Sequence, residues 1–124
     1  MIYLSVEQII ALNARHLGGQ PAVRDVGLVQ SAAARPQTVA FGQPAYATIE
    51  EKTAALLHSI ICNHPFVDGN KRTGWAAAEI TLVANGHRSD LSDDEAFDLV
   101  LRIATSCSEI EVKEIGAALR VVAR

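Results

Sequence analysis

Apolar residues recur at three- and four-residue spacing along most of the chain, the period of helices that bury one face. Four of these stretches open on a Ser or Thr followed three residues later by Glu or Gln: Ser5 with Gln8, Thr48 with Glu51, Ser92 with Glu95 and Ser108 with Glu111. In that spacing each side chain accepts from or reaches back to a backbone N–H of the first helical turn, so the four pairs predict four helix starts. Leu4, Ile9, Ala11 and Leu12 stripe the first helix, which Gly18-Gly19 ends, and Ile49, Ala54, Leu57, Ile60 and Ile61 stripe the one after Thr48. A shorter helix is expected from Asp25 to Arg35, capped by Asp25 and closed by Pro36. The pattern returns from Gly69 to Ala84, with Trp75, Ile80 and Val83 as its expected buried stripe and Asn85-Gly86 as its stop.

Thr38 to Tyr46 breaks the helical period. It mixes β-branched and aromatic residues with Gly42 and Pro44, which reads as an extended flap. The sum is an all-α bundle of about six helices with almost no sheet. No repeat, low-complexity tract or flexible linker divides residues 1–124, which are expected to form a single domain.

Charge and cysteine usage narrow the function classes. A net charge of -3, with eleven basic residues scattered along the chain, leaves no basic stripe for direct nucleic-acid binding. The N-terminus has no basic and apolar signal segment, and the apolar runs fall short of the ~18 residues of a membrane span, so a cytoplasmic location without membrane attachment is expected. Cys62 and Cys107 lie far apart in apolar surroundings and read as reduced core thiols.

Chemistry concentrates in His64-Pro65-Phe66-Val67-Asp68-Gly69-Asn70-Lys71-Arg72, where one helix has ended and the next begins. Pro65 breaks the first, and the N–H groups around Gly69, Asn70 and Lys71 then face outward at a helix start. Such an end carries partial positive charge. Gly69 permits close approach, and Lys71 and Arg72 add full charges, so the segment reads as a phosphate site. Asp68 offers a hard oxygen ligand for Mg²⁺ carried by a nucleotide, and His64 offers a base able to take a hydroxyl proton.

Neighbouring residues have plainer readings. His58, Cys62 and His64 lack a fourth partner for a zinc site, and core packing accounts for the first two. His16 and His87 suit helix C-termini, and Glu50, Glu51 and Glu79 suit solvent or caps. Trp75 reads as a core residue rather than a platform for a base, and Val112, Ile115, Leu119 and Val122 read as the face that closes the bundle.

The nine residues from His64 to Arg72 resemble the signature of the Fic/Doc superfamily, whose short members are all-α. The resemblance implies His64 as general base, Phe66 as apolar anchor of the loop, Asp68 as Mg²⁺ ligand, Gly69, Asn70 and Lys71 as the anion hole, and Arg72 as a phosphate grip or loop brace. It also implies that the flap from Val39 to Tyr46 docks a target backbone as an added strand. Fic adenylyltransferases typically carry a second Gly where this chain has Lys71, so the chain is most similar to the Doc branch.

Members of that branch are protein kinases that use ATP or another nucleoside triphosphate to phosphorylate elongation factor Tu, and a short antitoxin neutralises them. The resemblance therefore implies a toxin that transfers phosphate to a Ser or Thr hydroxyl of a translation protein. Transfer of AMP is the first alternative, and a catalytically idle domain that binds a partner or acts as corepressor is the second. The family's self-inhibitory motif finds no match, because Thr105 and Glu109 are followed by Ile110, which suits an inhibitor acting in trans.

Overall fold

The computed structural model describes residues 1–124. Its six helices are α1 (Val6–His16), α2 (Val26–Ala34), α3 (Ile49–Asn63), α4 (Asn70–Ala84), α5 (Asp93–Thr105) and α6 (Val112–Ala118). A 3-10 turn, Arg35–Gln37, extends α2 through Pro36. Two short antiparallel pairs complete the fold: β1 (Val39–Ala40) with β2 (Gln43–Pro44), and β3 (His87–Ser89) with β4 (Val121–Ala123). The fold is all-α, and the β1–β2 hairpin is the flap expected between Thr38 and Tyr46.

Local chemistry explains most of the helix starts. Ser5 and Ser92 form complete capping boxes with Gln8 and Glu95, and Asp25 accepts from the Leu28 N–H. Thr48 accepts from the Glu51 N–H, but the Glu51 carboxylate reaches the Ala47 N–H at 3.4 Å instead of closing the box. The fourth expected box is not used. α6 starts at Val112 with Glu111 as an N-cap that makes no side-chain bond. The chain first turns through Ser106, whose carbonyl accepts from Glu109 and Ile110, because Ile110 must enter the core before the helix can run.

α3 is the central helix and packs against α4 and α6 most extensively, with α2 and α5 on its flanks. One apolar cluster joins Leu57 and Ile61 of α3 to Leu99 and Ile103 of α5 and Ile115 of α6. A second joins Ile9 of α1 and Val29 of α2 to Leu56 and Ile60 of α3 and to Phe66.

The buried face of α4 differs from the expected one. Ile80 and Val83 are 39% and 40% exposed, and the face turned inward is Thr73, Gly74, Ala77, Ala78, Thr81 and Leu82. Small residues let α4 lie close to α3. A Cβ on Gly74 would already meet the Ile61 side chain at 3.2 Å, so larger side chains have room only on the outside.

The two cysteines also depart from expectation. Cys62 in the last turn of α3 and Cys107 in the α5–α6 turn are joined as a disulfide with Cα atoms 5.7 Å apart, so they are not free thiols here. Their separation of 45 residues hid the approach from the sequence.

Both chain ends meet the far end of α4. The Asn85 amide accepts from the Ile2 N–H at 2.7 Å and donates to the Ile2 carbonyl at 2.8 Å. Arg124 donates its N–H to the Gly86 carbonyl and its guanidinium to the Val83 carbonyl.

Candidate active site

The segment from His64 to Gly69 is a tight connection between two helices that lie side by side. α3 stops at Asn63 because Pro65 cannot continue it, and His64 takes the left-handed conformation (φ 51°) that usually belongs to glycine at a helix C-terminus. Gly69 is also left-handed (φ 80°) and precedes the first residue of α4. Glycine is required there twice over, since a Cβ would stand 3.2 Å from the Asn13 amide nitrogen and 3.4 Å from the Leu17 side chain.

Four residues hold this connection from different directions. Phe66 is 1% exposed and sits in the second apolar cluster, where burying its ring stabilises the loop by roughly 1.5–3 kcal/mol. Asn70 closes a two-point clasp, accepting from the Phe66 N–H at 3.0 Å and donating to the Phe66 carbonyl at 2.9 Å. Its side chain is therefore committed to the loop, and its backbone N–H and the second amide N–H are left for an anion.

Arg24 donates to the carbonyls of His64 (2.7 Å) and Asn63 (2.8 Å), which caps the end of α3. Asn13 is fully buried; it accepts from the Ala22 N–H and donates to the Asp68 carbonyl at 2.9 Å and the Thr73 hydroxyl at 3.2 Å. The backbone from Ala22 to Asp25 adds three bonds to Pro65 and Val67 and a β-bridge between Val23 and Phe66.

Asn13 and Arg24 were not singled out from the sequence. Asn13 had left a trace, because a polar amide stands four residues after Ile9 on the stripe that α1 buries. Arg24 left none, since its partners are backbone atoms about forty residues away.

The connection opens on a cleft of about 960 Å³ that brings His64, Asp68, Gly69, Asn70, Lys71 and Arg72 together. Phe66 is not part of its lining and faces the core. α4 begins without a side-chain cap, so the N–H groups of its first turn have no partner inside the helix. Lys71 and Arg72 are exposed and take part in none of the three ion pairs of the molecule. The Asp68 carboxylate accepts from the Gly69 N–H at 2.7 Å, which keeps it at the rim of this helix end. A single exposed carboxylate next to free N–H groups fits a Mg²⁺ ion that arrives already bound to phosphate, since such ions keep several waters and need one or two protein oxygens.

The cleft continues past Trp75 and Glu79 to Asp93, Phe97 and Leu101 on α5. Trp75 is half-buried; it packs on the first cluster, as expected of a core residue, and one side of it lines the cleft. Glu79 is exposed, as expected, at the edge of the cleft wall. Its partial enclosure, and next the neighbouring Asp93 carboxylate, raise its pKa above the ordinary 4.5, while a hydrogen bond from Trp75 works the other way. His16 also lines the cleft, and its Nε2 is enclosed without a hydrogen-bond partner. His58 does not face the cleft. It bridges the Arg35 guanidinium at 2.9 Å and the Cys107 carbonyl at 3.0 Å.

The flap projects away from the bundle with both strands exposed. Its turn is Phe41-Gly42, both left-handed, and the Phe41 ring is fully exposed. Arg35 anchors its base, donating from Nε to the Tyr46 hydroxyl at 2.9 Å, while the Arg35 carbonyl accepts from the Thr38 hydroxyl and N–H. No helix of the molecule is long and apolar enough to cross a membrane.

A family model described as the Fic/DOC family matches residues 3–82. The chain is 42% identical over 111 residues to a protein of Mycolicibacterium smegmatis named Toxin Doc, which covers 88% of this chain and 85% of that protein. It is 32% identical over 124 residues to a protein of Escherichia phage P1 named Protein kinase doc, with 97% of this chain and 94% of that protein covered.

Proposed function

The chain belongs to the Fic/DOC family, and from that premise we propose that it is a Doc-like toxin that transfers the γ-phosphate of ATP to a Ser or Thr hydroxyl of a host translation protein. The observation that carries this reading is the uncapped start of α4, with Lys71 and Arg72 unpaired beside it and with His64 and Asp68 in the same cleft. Phosphate oxygens would lie on the N–H groups of Asn70 and Lys71, and on that of Gly69 once the Asp68 carboxylate turns from it to Mg²⁺, with Arg72 and Lys71 balancing their charge. Asp68 would hold Mg²⁺, which when bound neutralises phosphate charge. His64 takes the proton of the attacking hydroxyl; the new O–P bond forms as the bond to the leaving nucleoside diphosphate breaks.

The similarity to proteins named Toxin Doc and Protein kinase doc supports a kinase that is a toxin, and a toxin kept inside its own cell needs a neutralising partner. We therefore infer a short antitoxin as partner and, by resemblance, elongation factor Tu as substrate, in the cytoplasm. The exposed edges of the flap are suited to receive the substrate backbone as an added strand. Adenylyl transfer, with the nucleotide seated the other way round in the same phosphate pocket, is the second reading.

Incubation with a bacterial lysate and Mg²⁺, using ATP labelled on the γ- or the α-phosphate, separates the two. Label passing only from the γ position is expected, and passage from the α position replaces phosphotransfer by AMP transfer. His64→Gly is the matching variant. Glycine accepts the left-handed backbone at this position without strain, so the fold should hold while transfer is lost; retained transfer would remove His64 as the base.

A further inference from the structure

We propose that Cys62 and Cys107 are a reversible redox site that sets how firmly the base and the flap are held. The proposal rests on the transfer reading for its consequence, though not for its chemistry. The two residues are already joined, they are only partly buried, and nothing in the proposed transfer uses them.

The core has apolar contacts beside the bond. Ile61 of α3, Ile103 of α5 and Ile110 beyond the turn lie in one buried cluster on either side of it, so apolar contact keeps α3 and α5 together in either state. The effect of the bond falls instead on two short pieces of chain. Cys62 lies two residues before His64, in the last turn of α3, whose final carbonyls Arg24 caps. Cys107 lies in the α5–α6 turn, and its carbonyl bonds to His58 Nε2.

From His58 a continuous line of contacts leads to the flap. His58 Nδ1 meets the Arg35 guanidinium at 2.9 Å, the guanidinium donates to the Tyr46 hydroxyl at 2.9 Å and lies 5.6 Å from the centre of its ring, and the Arg35 carbonyl holds Thr38. Thr38 and Tyr46 are the two ends of the flap. One covalent bond therefore stands at the head of both arms of the site, the one that delivers His64 and the one that anchors the hairpin.

The chemistry balances with a low-molecular-weight disulfide as oxidant. Each cysteine gives up its S–H proton, one S–S bond forms between Cys62 and Cys107, and the two electrons and two protons leave as two molecules of the small thiol. In the dithiol form the turn carrying Cys107 is released from α3. His58 then loses a fixed acceptor, and the last turn of α3 has one restraint fewer.

The test uses the full chain in dithiothreitol or after treatment with oxidised glutathione, with Cys107→Ser alongside, followed by amide hydrogen exchange and the labelled-ATP assay on the same samples. Residues 62–67 and 38–46 are expected to exchange about 3- to 30-fold faster in the dithiol form, the span over which changes in a contact network alter coupling. Transfer should fall in parallel, and Cys107→Ser should behave as the dithiol form under both treatments. Two results overturn the proposal: both cysteines still alkylated by iodoacetamide after the glutathione treatment, or equal exchange at the two segments in the two forms. If exchange responds while neither form transfers label, the redox site stands and the phosphotransfer reading falls.

Discussion

Replacing Asn13 by Ala tests whether the loop is held from beneath by one buried amide. The substitution removes three hydrogen bonds at once, to Ala22, Asp68 and Thr73, in a place that is fully closed to water. At about 1 kcal/mol for each bond of this kind the loss is about 3 kcal/mol. An unfolding entropy of about 2.1 cal/mol/K per residue turns that into a fall in Tm of about 12 °C for a chain of 124 residues. Asn13→Asp keeps the acceptor for Ala22 but sets a carboxylate oxygen against the Asp68 carbonyl, so it should be no better than Ala at neutral pH. Calorimetry gives the stability, and nucleotide titration should show weaker Mg-ATP binding in both variants because Asp68 has lost its tether. A Tm within about 4 °C of the parent protein would show that water replaces these bonds and that the amide does not govern the loop.

Arg24→Ala should lower kcat on the order of 10-fold while leaving the KM for ATP nearly unchanged, because it frees the carbonyls of Asn63 and His64 without touching α4. Equal losses in both constants would place Arg24 in nucleotide binding instead. The two perturbed carboxylates predict opposite effects of pH. Glu95 is lowered from 4.5 by the Ser92 backbone N–H and then by Arg120, so it stabilises the fold above that value and the benefit is lost as acid titrates it. Urea unfolding of Glu95→Gln should therefore show a deficit at about pH 7 that shrinks as pH falls below 4.5. Glu79 is raised, so the folded state resists its ionisation, and the penalty grows as pH rises above 4.5 and levels off once the folded group has ionised too. Glu79→Gln should gain stability at about pH 7 and gain nothing at about pH 4, and the reverse order would remove Asp93 and enclosure as the causes.

Features written in neighbouring residues were legible in the sequence. The reciprocal boxes at Ser5 and Ser92 and the cap at Asp25 form as their spacing implies, and the break at Pro65 puts the dense segment between two helices. Features that depend on distant partners were not. The Ser108 box fails because Ile110 is drawn into the core first, and α4 turns small residues inward because α3 lies too close for Ile80 or Val83. The same reason hides the disulfide, whose halves meet only once α3 and α5 are packed. Within the site, the charged and acid–base groups could be read from the chain, whereas the amide of Asn13, the guanidinium of Arg24 and the second use of Asn70 needed three dimensions.

The clasp of Ile2 by Asn85, and of Arg124 by Val83 and Gly86, places both ends of this chain at one pole of α4 while Asn70, Lys71 and Arg72 stand at the other. A helix of 15 residues puts roughly 22 Å between the poles. An affinity tag, a fluorophore or a surface tether can thus be joined at either end and stay clear of nucleotide and substrate. The closeness of the two ends also suits circular permutation, in which a short linker joins them and the chain is reopened at an exposed turn such as Gly18-Gly19.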